Sequence, residues 1–299
     1  TLEREAVSHF HQLHPRPAAN SWAKQKREQL SMRNINVTIW HEFRQEMEPG
    51  PAGDVIRQHY PQGMHRTLAN YLAAPDLTLR PVSLDEPDQG LPEEILQTTD
   101  VLLWWGHRAH AEVKDELVDR VQRRVLAGMG LVVLHSAHYS KIFRRMMGTT
   151  CRLRWREVGE KERLWVVSPS HPIARGIPET FVIPHHEMYG EPFDIPADGR
   201  IVFMSWHEGG NVCRSGVAFE RDRGKIFYFS PGHETFPVYH DPVIIQVISN
   251  AIRWAAPAEI VLDRITPQPQ ALEKIYSENP LADCDTSVLH QPTPETKKP

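Results

Sequence analysis

Short apolar runs alternate with amphipathic helical segments through the first half of this chain, and that alternation leaves few folds open. Ile35–Trp40, Leu77–Leu84, Asp100–Trp105 and Leu131–Leu134 read as strands. Between them lie Met64–Ala74 with helical spacing, a short helix opening at Leu91-Pro-Glu-Glu, and the clearest helix, Ala111–Ala127, whose Val113, Leu117, Val121 and Val125 recur every fourth residue. Tyr139–Met147 follows as a short helix ended by Gly148. Parallel strands need crossover helices, so this order predicts an α/β fold with a mostly parallel sheet covered on both faces, three layers in all.

After Cys151 the texture changes. Arg152–Val158, Leu164–Val167, Thr180–Ile183, Arg200–Trp206 and Val217–Glu220 read as shorter strands, expected to form a β-rich insertion or antiparallel extension. Lys225–Ser230 returns to a buried strand, and Pro242–Ala255 closes the domain as an amphipathic helix. Residues 1–31 are polar and without a clear period, and residues 258–299 carry proline-rich punctuation. The expected organisation is a polar arm over 1–31, one domain over 32–257 and an irregular tail over 258–299. Terminal arms of this kind often wrap neighbours, so a homo-oligomer is expected.

The net charge of -4 argues against nucleic-acid partners, which require a clustered basic surface. No apolar stretch reaches the length of a membrane span, so no membrane partner is expected. Cys151, Cys213 and Cys284 are few and widely spaced, which suits free thiols in a reducing cytoplasm. No phosphate-binding glycine loop follows a strand, so no nucleotide cofactor is expected.

The 17 histidines are the unusual entry in the composition. Several follow strands, where an open parallel sheet binds its ligands. Trp104-Trp-Gly-His-Arg-Ala-His110 ends a strand on two tryptophans, with His107 and His110 three residues apart beyond a glycine turn. The plainer alternative for each is a solvent-facing turn histidine. Leu131-Val-Val-Leu-His-Ser-Ala-His138 runs from strand into short helix with the layout of a nucleophile elbow, whose exposed position falls on His135 and, as alternative occupant, Ser136. His185-His-Glu-Met-Tyr-Gly190 offers Glu187 as metal ligand, general base or surface carboxylate, with Tyr189 beside it. Pro231-Gly-His-Glu-Thr-Phe-Pro-Val-Tyr-His240 offers His233 and Glu234 as a paired base and acid, with Tyr239 close by. Tyr60-Pro-Gln-Gly-Met-His65 is a weaker candidate for the rim, a helix-entry turn being as good a reading. Trp105, His65, His110, His138, Tyr189 and Tyr239 are the expected substrate contacts; His135, Glu187, His233 and Glu234 are the expected catalytic groups.

In combination, Trp-Trp-Gly-His (104–107), Val-Leu-His-Ser-Ala-His (133–138), Met-Met-Gly-Thr (146–149), Glu-Met-Tyr-Gly (187–190) and Pro-Gly-His-Glu (231–234) make residues 32–257 resemble the ThuA-like (trehalose utilisation) family. The resemblance implies membership of the class I glutamine amidotransferase-like superfamily and a flavodoxin-like core. The superfamily's cysteine nucleophile would fall on His135, so glutamine hydrolysis through a thioester is not expected. The resemblance further implies sugar metabolism, with keto derivatives of disaccharides such as trehalose as substrates for isomerisation, epimerisation or glycosidic cleavage. A divalent metal, zinc first, held by His107, His135, Glu187 and His233, would serve as the electrophile at the keto group. The alternatives are a noncatalytic sugar- or partner-binding module on the same fold and a serine hydrolase using Ser136 with His233 and Glu234.

Overall fold

The computed structural model describes residues 34–260 and 272–274. The expected arm over 1–31 and almost all of the expected tail lie outside the described residues. Residues 34–260 build nine strands: β1 Ile35–His41, β2 Leu77–Ser83, β3 Val101–Trp105, β4 Gly130–Leu134, β5 Arg154–Val166, β6 Thr180–Gly190, β7 Arg200–His207, β8 Val212–Arg221 and β9 Gly224–Phe229. Six α-helices accompany them: α1 Pro51–His59, α2 Met64–Leu72, α3 Glu93–Thr98, α4 Asp115–Leu126, α5 Lys141–Met147 and α6 Pro242–Ala255. None is long and apolar enough to cross a membrane.

All nine strands join one sheet in the order β2-β1-β3-β4-β9-β8-β7-β5-β6. The first five are parallel, and their order is that of a flavodoxin-like sheet. Beyond β9 every pairing is antiparallel. The expectation of a mostly parallel sheet therefore holds for one half only. Of the two arrangements expected for the later strands, an insertion or an antiparallel extension, the extension forms: they continue the same sheet, and β8 returns to β9 through a tight turn. Arg221 pairs with Gly224 there, and Asp222 takes φ +51, the left-handed conformation such hairpins use.

Neighbouring residues of the parallel strands feed opposite cores, as the pleat demands. Leu103, Val132 and Phe227 pack with α2 and α6, through Leu68, Val247 and Ile248. Leu102, Val133 and Tyr228 pack on the other face with α4 and α5, through Leu117, Val121 and Phe143. These layers match the expected three.

Two helices depart from the sequence reading. Helix α4 begins at Asp115 rather than Ala111, because the Gln89 side chain tethers the preceding turn, donating to the Glu112 carbonyl and accepting from the Lys114 amide. Helix α1 buries only Gly53 and Ile56, too little apolar surface to register as a period.

Candidate functional site

The parallel register brings His41, Trp105, Leu134 and Phe229 into one row at the carboxyl ends of β1, β3, β4 and β9. The residues that follow this row build the site. After β1, Glu42 is fully buried and its carboxylate accepts the backbone amides of His107, Arg108 and Ala109 at 2.7, 2.7 and 2.9 Å. That fixes the turn after β3. After β4, His135 stands at φ +51, a left-handed conformation rare outside glycine, at the position the elbow pattern marks. After β9 comes Pro231–Glu234.

His135 is wholly buried, and its Nδ1–H donates to the Ser230 carbonyl at 2.7 Å. Its Nε2 is left with a lone pair, 3.0 Å from Glu187 Oε2. His233 Nε2 lies 3.7 Å from the same oxygen and 3.6 Å from Glu157 Oε1. His135 Nε2, Glu187 Oε2 and His233 Nε2 are buried without hydrogen-bond partners. Burial pushes Glu187 up and His135 down, and holds His233 down at about 4. Tyr189 is stacked flat on His135, with ring centroids 4.5 Å apart and 4° between planes.

A second pair adjoins this group. His107 Nδ1 and Glu234 Oε1 lie 2.9 Å apart. Burial opposes charge on both, yet their hydrogen bond and mutual field win: His107 is raised and Glu234 is held at about 2. Two overlapping sets thus have metal-ligand spacing, His135–Glu187–His233 and His107–His233–Glu234, the atoms of each within 4.8 Å of one another. The four expected ligands are brought together, but His107 is engaged by Glu234.

The expected substrate contacts scatter more widely. Trp105 is buried, donates to the Gly232 carbonyl at 3.0 Å and stacks on His41. Tyr239 is buried against Gly232. His138 lies behind Tyr189, with Nδ1 donating to the Cys151 carbonyl at 2.7 Å. His110 packs edge-on to Tyr139. His65 is buried and stacked on His41, 5.3 Å between centroids. Ser136 Oγ is buried without a hydrogen-bond partner, so no base touches it and the Ser136–His233–Glu234 hydrolase arrangement is not formed.

Several residues escaped the sequence reading. Glu162 and His186 form a buried pair at 2.6 Å, and His186 Nε2 accepts the amides of Gly232 and His233 at 3.1 and 3.3 Å. Ser205 donates to the other Glu162 oxygen at 2.5 Å. Glu157 supplies the exposed edge of the site. His41, Glu46 and His65 form a further buried group, with His41 Nε2 3.7 Å from Glu46 Oε1. His41 and Glu42 end a strand like the residues chosen from β3, β4 and β9, and that rule would have found them.

A family model described as ThuA, trehalose utilisation, matches residues 36–255. No curated protein matches the chain. Among solved structures, a ThuA-like protein from Bacteroides uniformis ATCC 8492 aligns with TM-score 0.55 and 17% identity, over 75% of this chain and 91% of that one. A second ThuA-like protein, from Parabacteroides merdae ATCC 43184, aligns with TM-score 0.53 and 13% identity over 77% and 92%. A cytoplasmic protein from Salmonella typhimurium gives TM-score 0.51 and 14% identity over 75% and 99%. At these identities the structural likeness establishes the fold.

Proposed function

The chain belongs to the ThuA family, and from that premise we propose that it is a carbohydrate-processing enzyme acting on keto-sugars with a divalent metal held by His135, Glu187 and His233. The family's description points to a carbohydrate-related role; the chemistry is read from the site. One observation carries the metal: His135 Nε2 and Glu187 Oε2 stand 3.0 Å apart, both buried, with no hydrogen-bond partner for either. Two acceptors at that distance repel unless a cation or a proton lies between them. The His135 Nδ1–H bond to the Ser230 carbonyl is the outer contact a metal-bound imidazole uses. With the Nδ1–H of His233 given to the Thr235 hydroxyl, 2.8 Å away, its Nε2 is free as the third donor. Imidazole and carboxylate donors suit zinc.

Bound there, zinc would supply Lewis acidity toward a substrate carbonyl. The chain's own groups handle the proton. A keto group acidifies the C–H beside it, and His107, with 35% of its side chain exposed, is the member of its pair that a substrate reaches. The Glu234 carboxylate fixes the His107 ring and stabilises the charge it gains on accepting that proton. Return of that proton to the former carbonyl carbon, while the hydroxyl proton of the deprotonated carbon passes to the former carbonyl oxygen, isomerises the sugar with no net change in protons. Tyr189, flat on His135, holds that ring against rotation.

A second reading, acid–base catalysis without metal, is favoured by the Thr235 amide, which donates to His233 Nδ1 at 3.2 Å and so leaves the proton on Nε2. Glu187, raised by burial, would then share a proton with His135. Metal content by plasma mass spectrometry, on untagged protein and its His135→Ala variant, separates the two. Near-stoichiometric zinc lost in the variant supports the metal site. Wild type free of metal after growth and purification with zinc, yet converting a 3-keto-disaccharide followed by NMR, overturns it and leaves the second reading.

A further inference from the structure

Trp155 is 67% exposed, and its place in the sheet sets it on the face that carries the site. It stands on β5 directly across from Tyr189 on β6. Directly opposed residues of antiparallel strands carry their side chains on one face, with Cβ atoms about 5 Å apart. Tyr189 lies against His135, so the face it shares with Trp155 is the face of the site. Glu157, two residues further along β5, reaches His233. Two strand residues span about 6.8 Å, roughly the width of one sugar ring. From the buried His135, Glu187 and His233, exposure rises to 44% for the Glu157 side chain and 67% for Trp155. Among the described residues, an indole so exposed on the face of a buried polar group is an apolar plane open to a ligand.

We infer that Trp155 is the stacking platform for the second ring of a disaccharide whose first ring is engaged by the His135–Glu187–His233 group. This rests on the sugar-processing reading above and adds the part of the substrate it grips. The C–H face of a pyranose covers an indole well, and the apolar area removed from water corresponds to roughly tenfold in affinity. The platform favours disaccharides over monosaccharides and leaves the first ring to the buried groups.

Isothermal titration of the metal-loaded full-length chain with trehalose and with glucose tests it. Trp155→Ala is expected to weaken trehalose roughly tenfold, to leave glucose within about twofold, and to leave the metal content unchanged; Trp155→Phe is expected to keep most of the trehalose affinity. Equal trehalose affinity in wild type and Trp155→Ala overturns the platform and leaves the proposed function standing. The same result with a changed mass by light scattering would make Trp155 a contact between copies of the chain instead. Wild type that holds metal but binds neither sugar overturns the platform and leaves the keto-sugar reading to its own test. Metal-free wild type whose trehalose binding still depends on Trp155 supports the platform and overturns the metal.

Discussion

Glu162 and His186, both buried, hold the loop that carries His233: the carboxylate fixes His186 Nδ1 at 2.6 Å, and Nε2 accepts the Gly232 and His233 amides. Burial alone would raise Glu162, but the His186 partner holds it below the ordinary carboxylate value. Glu162→Ala leaves His186, the Ser205 hydroxyl and two loop amides without their shared anchor. Leaving buried hydrogen-bonding groups unsatisfied costs about 1–3 kcal/mol each, so urea denaturation is expected to show a loss of at least that order. An unchanged midpoint would refute the anchoring role.

Metal is expected to stabilise the folded chain, since the unfolded chain has no preformed site. At a hundredfold excess over its Kd a ligand adds about 2.7 kcal/mol. Thermal scans with zinc and with a chelator should therefore separate for wild type and coincide for His135→Ala. Coincident wild-type curves would argue against the site.

Replacement of Glu234 by Gln removes the charge that raises His107. Proton transfer by a positioned side chain contributes about 10²–10⁴ in rate, and kcat on a 3-keto-disaccharide is expected to fall within that range for both Glu234→Gln and His107→Ala. Activity within threefold of wild type would remove the pair from the proton path.

Acid is expected to destabilise the fold through His41 and His65. Burial lowers them to about 4 and about 3 from an unfolded value near 6.5. Below 6.5 the unfolded chain takes up protons that the folded chain refuses. Stability is thus complete above 6.5 and is lost as pH falls through 4, each histidine costing about 1.4 kcal/mol for every pH unit crossed between its two values. Guanidinium midpoints between pH 7 and pH 4 read the sum, in which Glu46, raised by burial to about 7, offsets one histidine down to its unfolded value near 4.5, and His65→Phe should flatten the slope.

Gly232 lies where a Cβ would stand 2.1 Å from the Tyr239 hydroxyl, at φ +146. Gly232→Ala is expected to cost about 2 kcal/mol or more through overpacking and backbone strain. Tyr239→Phe in the same chain should recover part of that loss, because it deletes the obstructing oxygen. A double-mutant cycle by chemical denaturation with no coupling between the two would show that the loss comes from the backbone alone.

The parallel half of the fold was legible because its strands are buried on both faces and so read as unbroken apolar runs, Leu131-Val-Val-Leu most plainly. The antiparallel half was less so. The single strand β5 reads as two because Gly159-Glu-Lys-Glu-Arg interrupts its apolar pattern, yet the chain stays extended through an irregular register after Arg156. His107, His135, Glu187, His233 and Glu234 were visible from position alone. Glu157 and Glu162 were not: a glutamate inside a charged strand segment looks like solvated surface. Only the cross-strand register turns Glu162 inward to His186 and Glu157 toward His233.

Strand β9 is the seam where the sheet changes direction. The site draws His107 and His135 from the parallel side, Glu157 and Glu187 from the antiparallel side, and His233 and Glu234 from the loop after the seam itself. During synthesis the growing chain therefore holds no working fragment of the site. Its five-stranded half cannot close until β9, which follows both of its neighbours in the chain, lies between β4 and β8. A product truncated before residue 224 would lack that central strand and, with it, the loop that carries His233 and Glu234.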